Sequence, residues 1–236
     1  MQKRVPIWYL CLLTIRTLQN IQIDNYVLER VSSTKFLGVL IDENLTWKSH
    51  IALVSNKIGK NIGVIRRIRH LVARKILINL YYTMIYPYIS YCNMVWASNY
   101  KTNLNCIFLL QKRFIKMITF SSKFTSSSPL FQSLRILPIF ELNNFQICIF
   151  LFQSIHNLLP VTFQNLFQFN NEIHNYNTRS ADDLHSTFFR TTTAQFSIKY
   201  RGPHFWNCLP RCIRDCNSFS LFRRQLMQFL LTNLGN

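Results

Sequence analysis

Asp182 and Asp183 stand side by side. A neighbouring pair of carboxylates is what a two-metal site uses, because hard divalent cations take oxygen ligands and hold the attacking and leaving oxygens of a displacement between them. Here the pair follows Arg179-Ser180-Ala181, with no aromatic strand before it and no partner Asp on a nearby strand. It is read as a surface loop or helix cap, roles that aspartate commonly fills. Cys208, Cys212 and Cys216 recur beside His204 on one helical stripe. Zinc sites instead pair close ligands and set a second pair at a distance, so incidental or packed thiols are expected and no metal site is assigned. His50 and His174 have no Cys or Ser in a recognisable nucleophile motif beside them. His70 lies in a basic turn, where it can face phosphate, but structural roles are expected for the histidines. No glycine-rich phosphate loop is present. No catalytic residue is assigned.

The chemistry the sequence does carry is electrostatic. Twenty-seven Lys and Arg against nine Asp and Glu give a net charge of +18. Between Asn44 and Phe140 there is no acidic residue, yet fourteen Lys and Arg fall there. A solvated helix face normally interleaves signs, so this excess points to an anionic partner, nucleic acid ahead of an acidic membrane surface. Lys57, Lys60, Arg66, Arg67, Arg69, Lys112, Arg113 and Lys116 are the candidate phosphate contacts. Trp47, Tyr81 and Tyr82 either pack in the core or lie against sugars and bases.

The elements that must position these cations are mostly helices. The composition, with 49% hydrophobic residues, five Gly and seven Pro, excludes a low-complexity chain. Ile21, Ile23 and Val27–Val31 read as short strand pieces around a turn at Asp24-Asn25, and Phe36–Ile41 as one apolar strand ended by Asp42-Glu43-Asn44. Ile51, Val54, Ile58, Ile62, Ile65 and Ile68 recur at helical spacing and predict an amphipathic helix over 48–70. Further stripes predict helices from Ile76 to Ile85, Pro87 to Trp96 and Thr102 to Phe120. Ser121–Ser128 is a polar linker. Beyond it, helices are expected over Pro129–Leu137 and Pro138–Leu158, a loop over Asn170–Ser180, a strand at Phe196–Tyr200 ended by Gly202-Pro203, and a last helix starting near an N-cap at Ser218.

Seven cysteines, an odd number, do not form an even disulfide set. Cys92, Cys106 and Cys148 read as small buried hydrophobes. An intracellular setting, nuclear or cytoplasmic, is expected rather than secretion. Lys3-Arg4 and the apolar run Val5–Leu13 imitate a signal peptide, but no cleavage site follows and Arg16 closes the run. Phe145–Leu159 is broken by Gln146, Gln153, Ser154 and His156, so no transmembrane segment is expected.

Several runs, taken in order, resemble the carboxy-terminal part of non-LTR (LINE-type, jockey-like) retrotransposon reverse transcriptases. Lys35-Phe36-Leu37-Gly38-Val39, followed by Asp42, Leu45, Trp47, His50 and Ile51, is similar to the family's segment after the palm. Leu80-Tyr81-Tyr82, Tyr86-Pro87, Tyr91-Cys92 and Val95-Trp96 continue it. Leu110-Gln111-Lys112-Arg113 looks like its basic helix. Thr125, Pro129-Leu130-Phe131, Leu134 and Ile136-Leu137 follow, then Tyr176-Asn177-Thr178-Arg179, Gly202-Pro203, Trp206-Asn207 and Leu209-Pro210.

The resemblance implies a mainly α fold: a thumb-like helical bundle after a short primer-grip-like strand, plus a carboxy-terminal helical extension with a small β element. Phe36, Leu37 and Gly38 take the primer-grip position. Residues 1–34 are a palm-edge remnant or unstructured lead-in, 35–125 the thumb-like region and 126–236 the extension. The family's Mg²⁺-binding carboxylates lie in the palm, upstream of the primer grip. Here only Asp24 and Glu29 precede Phe36, so a chain lacking the palm and fingers is expected, without polymerase activity or a cofactor of its own. The expected partners are an RNA or DNA backbone and the missing palm and fingers of a parent polymerase. Two other readings stay open: a domesticated helical interaction scaffold and a basic membrane-surface protein.

Overall fold

The computed structural model describes residues 21–23, 26–28, 30–163, 166–173 and 179–234. The expected turn at Asp24-Asn25, His174, most of the Tyr176–Arg179 motif and the run Val5–Leu13 lie outside the described residues. The fold is mainly helical with a small antiparallel β component. Strands β1 (Ile21–Ile23) and β2 (Tyr26–Leu28) pair as a hairpin, as their apolar spacing predicts.

The strand expected over Phe36–Ile41 is instead the tip of a second hairpin. β3 (Ser33–Phe36) turns back onto β4 (Val39–Asp42), with Phe36 opposite Val39. Leu37 and Gly38 form a two-residue turn with φ of 45° and 83°. Positive φ at both centres is the hairpin geometry that matches strand twist, and Gly38 supplies it without a Cβ clash. The run is uniformly apolar, so no alternation betrays the reversal.

Asp42 then starts the helices. Its carboxylate accepts the backbone N–H groups of Thr46 and Trp47, both at 2.8 Å, and α1 (Lys48–Ile68) follows. The isoleucine stripe is borne out: Ile51, Val54, Ile58 and Ile65 are buried. Each such side chain contributes about 1.5–3 kcal/mol when removed from water. α2 (Arg74–Met84) and α5 (Lys101–Ile118) also follow their stripes. The helix expected over Pro87–Trp96 is broken into α3 (Tyr86–Ser90) and α4 (Asn93–Trp96). Cys92 turns left-handed at φ 48°, and the carbonyl freed at Tyr91 accepts the Trp96 indole N–H at 2.8 Å.

α6 (Ser128–Leu134) and α7 (Ile139–Ile155) lie where predicted. α7 is apolar nearly all round because it runs through the core, with Ile147, Leu151 and Phe152 buried. No single helix among the described residues is long and apolar enough to cross a membrane. A one-turn α8 (Asn170–Ile173) interrupts the expected loop, and a one-turn α9 (Thr192–Gln195) comes after it.

The strand expected at Phe196–Tyr200 is contradicted. Ile198 opens α10 (Ile198–Asn207), which runs straight through Gly202-Pro203. Tertiary packing decides this. Gly202, Pro203 and Trp206 form the buried face, and a Cβ on Gly202 would stand 3.3 Å from Leu151 of α7 and Phe167. The short alternation at 196–200 is too brief to resist that contact. α11 (Arg211–Arg214) and α12 (Phe219–Thr232) close the chain. Ser218 is the N-cap residue of α12 as expected, though its side chain makes no capping bond. One hydrophobic core runs from Ile51 to Leu231, continuous across the Ser121–Ser128 linker.

Candidate nucleic-acid interface

α1 and α5 pack along their buried stripes and leave a groove of about 960 Å³ beside the contact. Arg66 lines it from α1 and Arg69 from the cap just past its end, Lys112, Arg113 and Lys116 from α5, and Lys123 from the loop after α5. The Lys116 ammonium donates to the Lys123 carbonyl, which ties that loop to the helix. Gly59 and Gly63 form part of the groove wall, one helical turn apart, and a Cβ at either would meet nothing within 4 Å. Interior helix glycines destabilise a helix by about 1 kcal/mol relative to alanine. These two are therefore not there to let a neighbouring helix approach. They leave bare backbone beneath an open channel, which favours close approach of a ligand.

The channel continues into a hollow of about 600 Å³ bounded by Ser55, Asn56, Lys60 and Cys106, sharing Gly59, Leu109 and Arg113 with it. From Ser55 to Arg69 the helix advances roughly 21 Å, the rise of about six B-form phosphates along one strand.

Six of the eight predicted contacts thus meet: Arg66, Arg69, Lys112, Arg113 and Lys116 in the groove and Lys60 in its extension. Two do not line it. Lys57 lies on another face of α1, its ammonium 5.3 Å from the Tyr88 ring centre. Arg67 is exposed outside the groove. Lys123, Gly59 and Gly63 were not singled out from sequence. The spacing signal for the glycines was present, since residues four apart share a helix face with the arginine three further on.

The aromatic candidates lie elsewhere. Tyr81 is buried, with its hydroxyl accepting from Gln111 at 3.0 Å, and burial pushes its pKa up. Tyr82 and Tyr86 border a separate cleft of about 430 Å³ with Arg223 and Arg224. Trp47 sits half-buried at the start of α1. The Leu110–Arg113 run divides by role: Gln111 is fully buried, whereas Lys112 and Arg113 face the groove.

Phe36, Leu37 and Gly38 are at the far end of α1. His50, in its first turn, accepts the Leu40 N–H of the hairpin at 3.2 Å. Arg66 is sixteen residues further on, roughly 24 Å along the helix. Phe36 and Leu37 are 59% and 73% exposed, and the Tyr91 hydroxyl donates to the Leu37 carbonyl at 2.6 Å.

Three of the described acidic side chains are engaged by structural partners. Asp42 caps the entry to α1, Glu43 pairs with Arg30 at 3.0 Å, and Asp183 pairs with Arg214 at 2.7 Å. Among the described residues no group of three or more His, Cys, Asp or Glu is gathered to hold a metal ion. Of the three cysteines expected to be buried, Cys148 is, Cys92 is half-buried and Cys106 is exposed beside Ser55. Comparison with protein-family models, curated proteins and solved structures gave no match.

Proposed function

We propose that this chain is the thumb-like, post-catalytic part of a non-LTR reverse transcriptase, and that its α1/α5 groove holds a nucleic-acid backbone without reading sequence. The family part of this reading rests on the ordered motifs. The binding part is carried by one observation: six basic side chains line a single open channel with no carboxylate among its lining residues. Such a channel attracts a polyanion, and each phosphate neutralised releases condensed counter-ions, so affinity falls steeply with salt. In this role the chain binds and positions, and the chemistry belongs to palm carboxylates of a parent polymerase.

The test is a salt titration of binding to a labelled single strand by fluorescence anisotropy. With five phosphates engaged, the log–log slope is about −3.5. The triple variant Arg66→Glu, Arg69→Glu, Arg113→Glu removes three of these and brings the slope to about −1.4. The charge-matched control Arg190→Glu, Lys199→Glu, Arg211→Glu alters exposed positions outside the groove and leaves the slope near that of the parent chain. A salt-independent affinity, or a larger effect from the control, overturns the reading. Groove-dependent binding to anionic vesicles alone moves it to a membrane surface.

A further inference from the structure

At one end of the groove, α1 and α5 both stop beside the same aromatic residue. α5 closes with Thr119 N–H on the Ile115 carbonyl and Ser121 N–H on the Lys116 carbonyl. This closure needs a left-handed residue between them, a position normally filled by glycine or asparagine. Phe120 occupies it at φ 53°. A bulky side chain there is an outlier that calls for an explanation.

Burial does not supply one, because Phe120 is 59% exposed. Its ring stands beside one groove cation, Arg69, instead. The Arg69 guanidinium carbon lies 5.3 Å from the ring centre, and the His70 ring 5.7 Å away. Lys116 and Lys123, on either side of Phe120 in sequence, line the groove itself. Phe124, four residues on, is 97% exposed. Helix-end geometry and core packing therefore both favour another residue, while the neighbouring charges favour a ligand that combines anionic and flat aromatic parts.

We propose that Phe120, backed by Arg69, is a stacking platform for an unpaired base of a single strand whose backbone lies in the α1/α5 groove. The inference rests on the nucleic-acid reading of that groove and adds a preference to it. Phosphate contacts are indifferent to strandedness, whereas an aromatic platform needs a base free of its own stack. Single strands and frayed ends offer one, and a closed duplex does not. Stacking is tolerant of base identity because every base presents a π-face, and a guanidinium beside the ring adds to it.

The test uses the full chain and three ligands: a single-stranded oligonucleotide, a strand of the same length made of abasic sugar–phosphate, and a closed duplex. Phe120→Gly removes the ring and suits the left-handed backbone, so the variant folds and gains thermal stability. It weakens binding of the base-bearing single strand by about 5- to 100-fold and leaves the abasic strand and the duplex unchanged. Phe120→Trp keeps the single-strand affinity or tightens it. If Phe120→Gly leaves single-strand binding intact, or weakens all three ligands alike, the platform is overturned while salt-sensitive groove binding stands. If the parent chain binds none of the three, the groove reading fails, and the platform with it.

Discussion

Replacing Gln111 by leucine tests how the groove is held from behind. Gln111 sits on the core side of α5 and is fully buried. Its amide donates to the Tyr81 hydroxyl at 3.0 Å and to the Leu137 carbonyl at 3.3 Å, while its oxygen accepts the Ile139 N–H at 2.8 Å. Ile139 is the first residue of α7. Its N–H is one of the helix-start donors that no carbonyl within the helix can satisfy. Gln111 therefore caps α7 from another helix and pins α2 and α5 to it. Leucine keeps the volume but leaves the Ile139 N–H and the Tyr81 hydroxyl without this partner in a dry core. Each orphan costs about 1–3 kcal/mol, partly offset by the added apolar surface, for a net loss of roughly 2–5 kcal/mol. In a chain of this size that lowers Tm by about 6–15 °C. Differential scanning calorimetry measures it. Adding Tyr81→Phe removes one orphan, so the double variant recovers about 1 kcal/mol relative to Gln111→Leu. A Tm shift below about 2 °C for Gln111→Leu, or a double variant that loses the sum of both singles, would refute the capping argument.

Four further outcomes follow. His50 accepts the Leu40 N–H, and its pKa is lowered by burial and then by Lys57. The stability this brings is complete above the ordinary histidine value near 6.5 and is lost as pH falls below it; urea midpoints across that window show the decline, and His50→Gln flattens it. Asp183→Ala strips the partner from the mostly buried Arg214 and lowers stability by about 1–3 kcal/mol in denaturant titrations, a structural effect separate from any metal chemistry. Gly59→Ala with Gly63→Ala meets open space, so it stabilises α1 by up to about 2 kcal/mol while weakening strand binding; equal or tighter binding would mean the bare backbone is not part of the interface. Brief alkylation followed by peptide mass spectrometry labels exposed Cys106, Cys208 and Cys212 and spares Cys148, which is buried with its thiol pushed up to about 12 by desolvation.

The helices were legible because their information is local. The isoleucines of α1 and the apolar stripe of α5 declare one face each, and the structure buries those faces. Which cations share a groove was not legible, because it depends on how two helices lie against each other. Lys57 and Arg66 belong to one helix, yet nine residues at 100° each set them on opposite sides. The hairpin at Leu37-Gly38 was not legible because its residues are uniformly apolar; the glycine is the one local cue to the reversal. At α10 the alternation of Phe196, Ile198 and Tyr200 has the period of a strand but spans only five residues, and the contact of Gly202 with α7 made the choice.

Among the described residues, the β3–β4 ladder pairs with no third strand, and every residue of β3 is exposed. A two-stranded ladder is marginal in water by itself. This one is fastened by Val39 in the core, the Leu40–His50 bond and the Tyr91 hydroxyl. Its amide protons should therefore exchange with solvent well before those of α5 or α7, through openings that leave the helices folded. The outer edge of β3, which ends in Phe36, is unpaired, a template on which an extended segment of another molecule can add. Lys35 is the one charge on β3, so exchanging it for an apolar residue would turn this lightly fastened ladder into a seed for self-association.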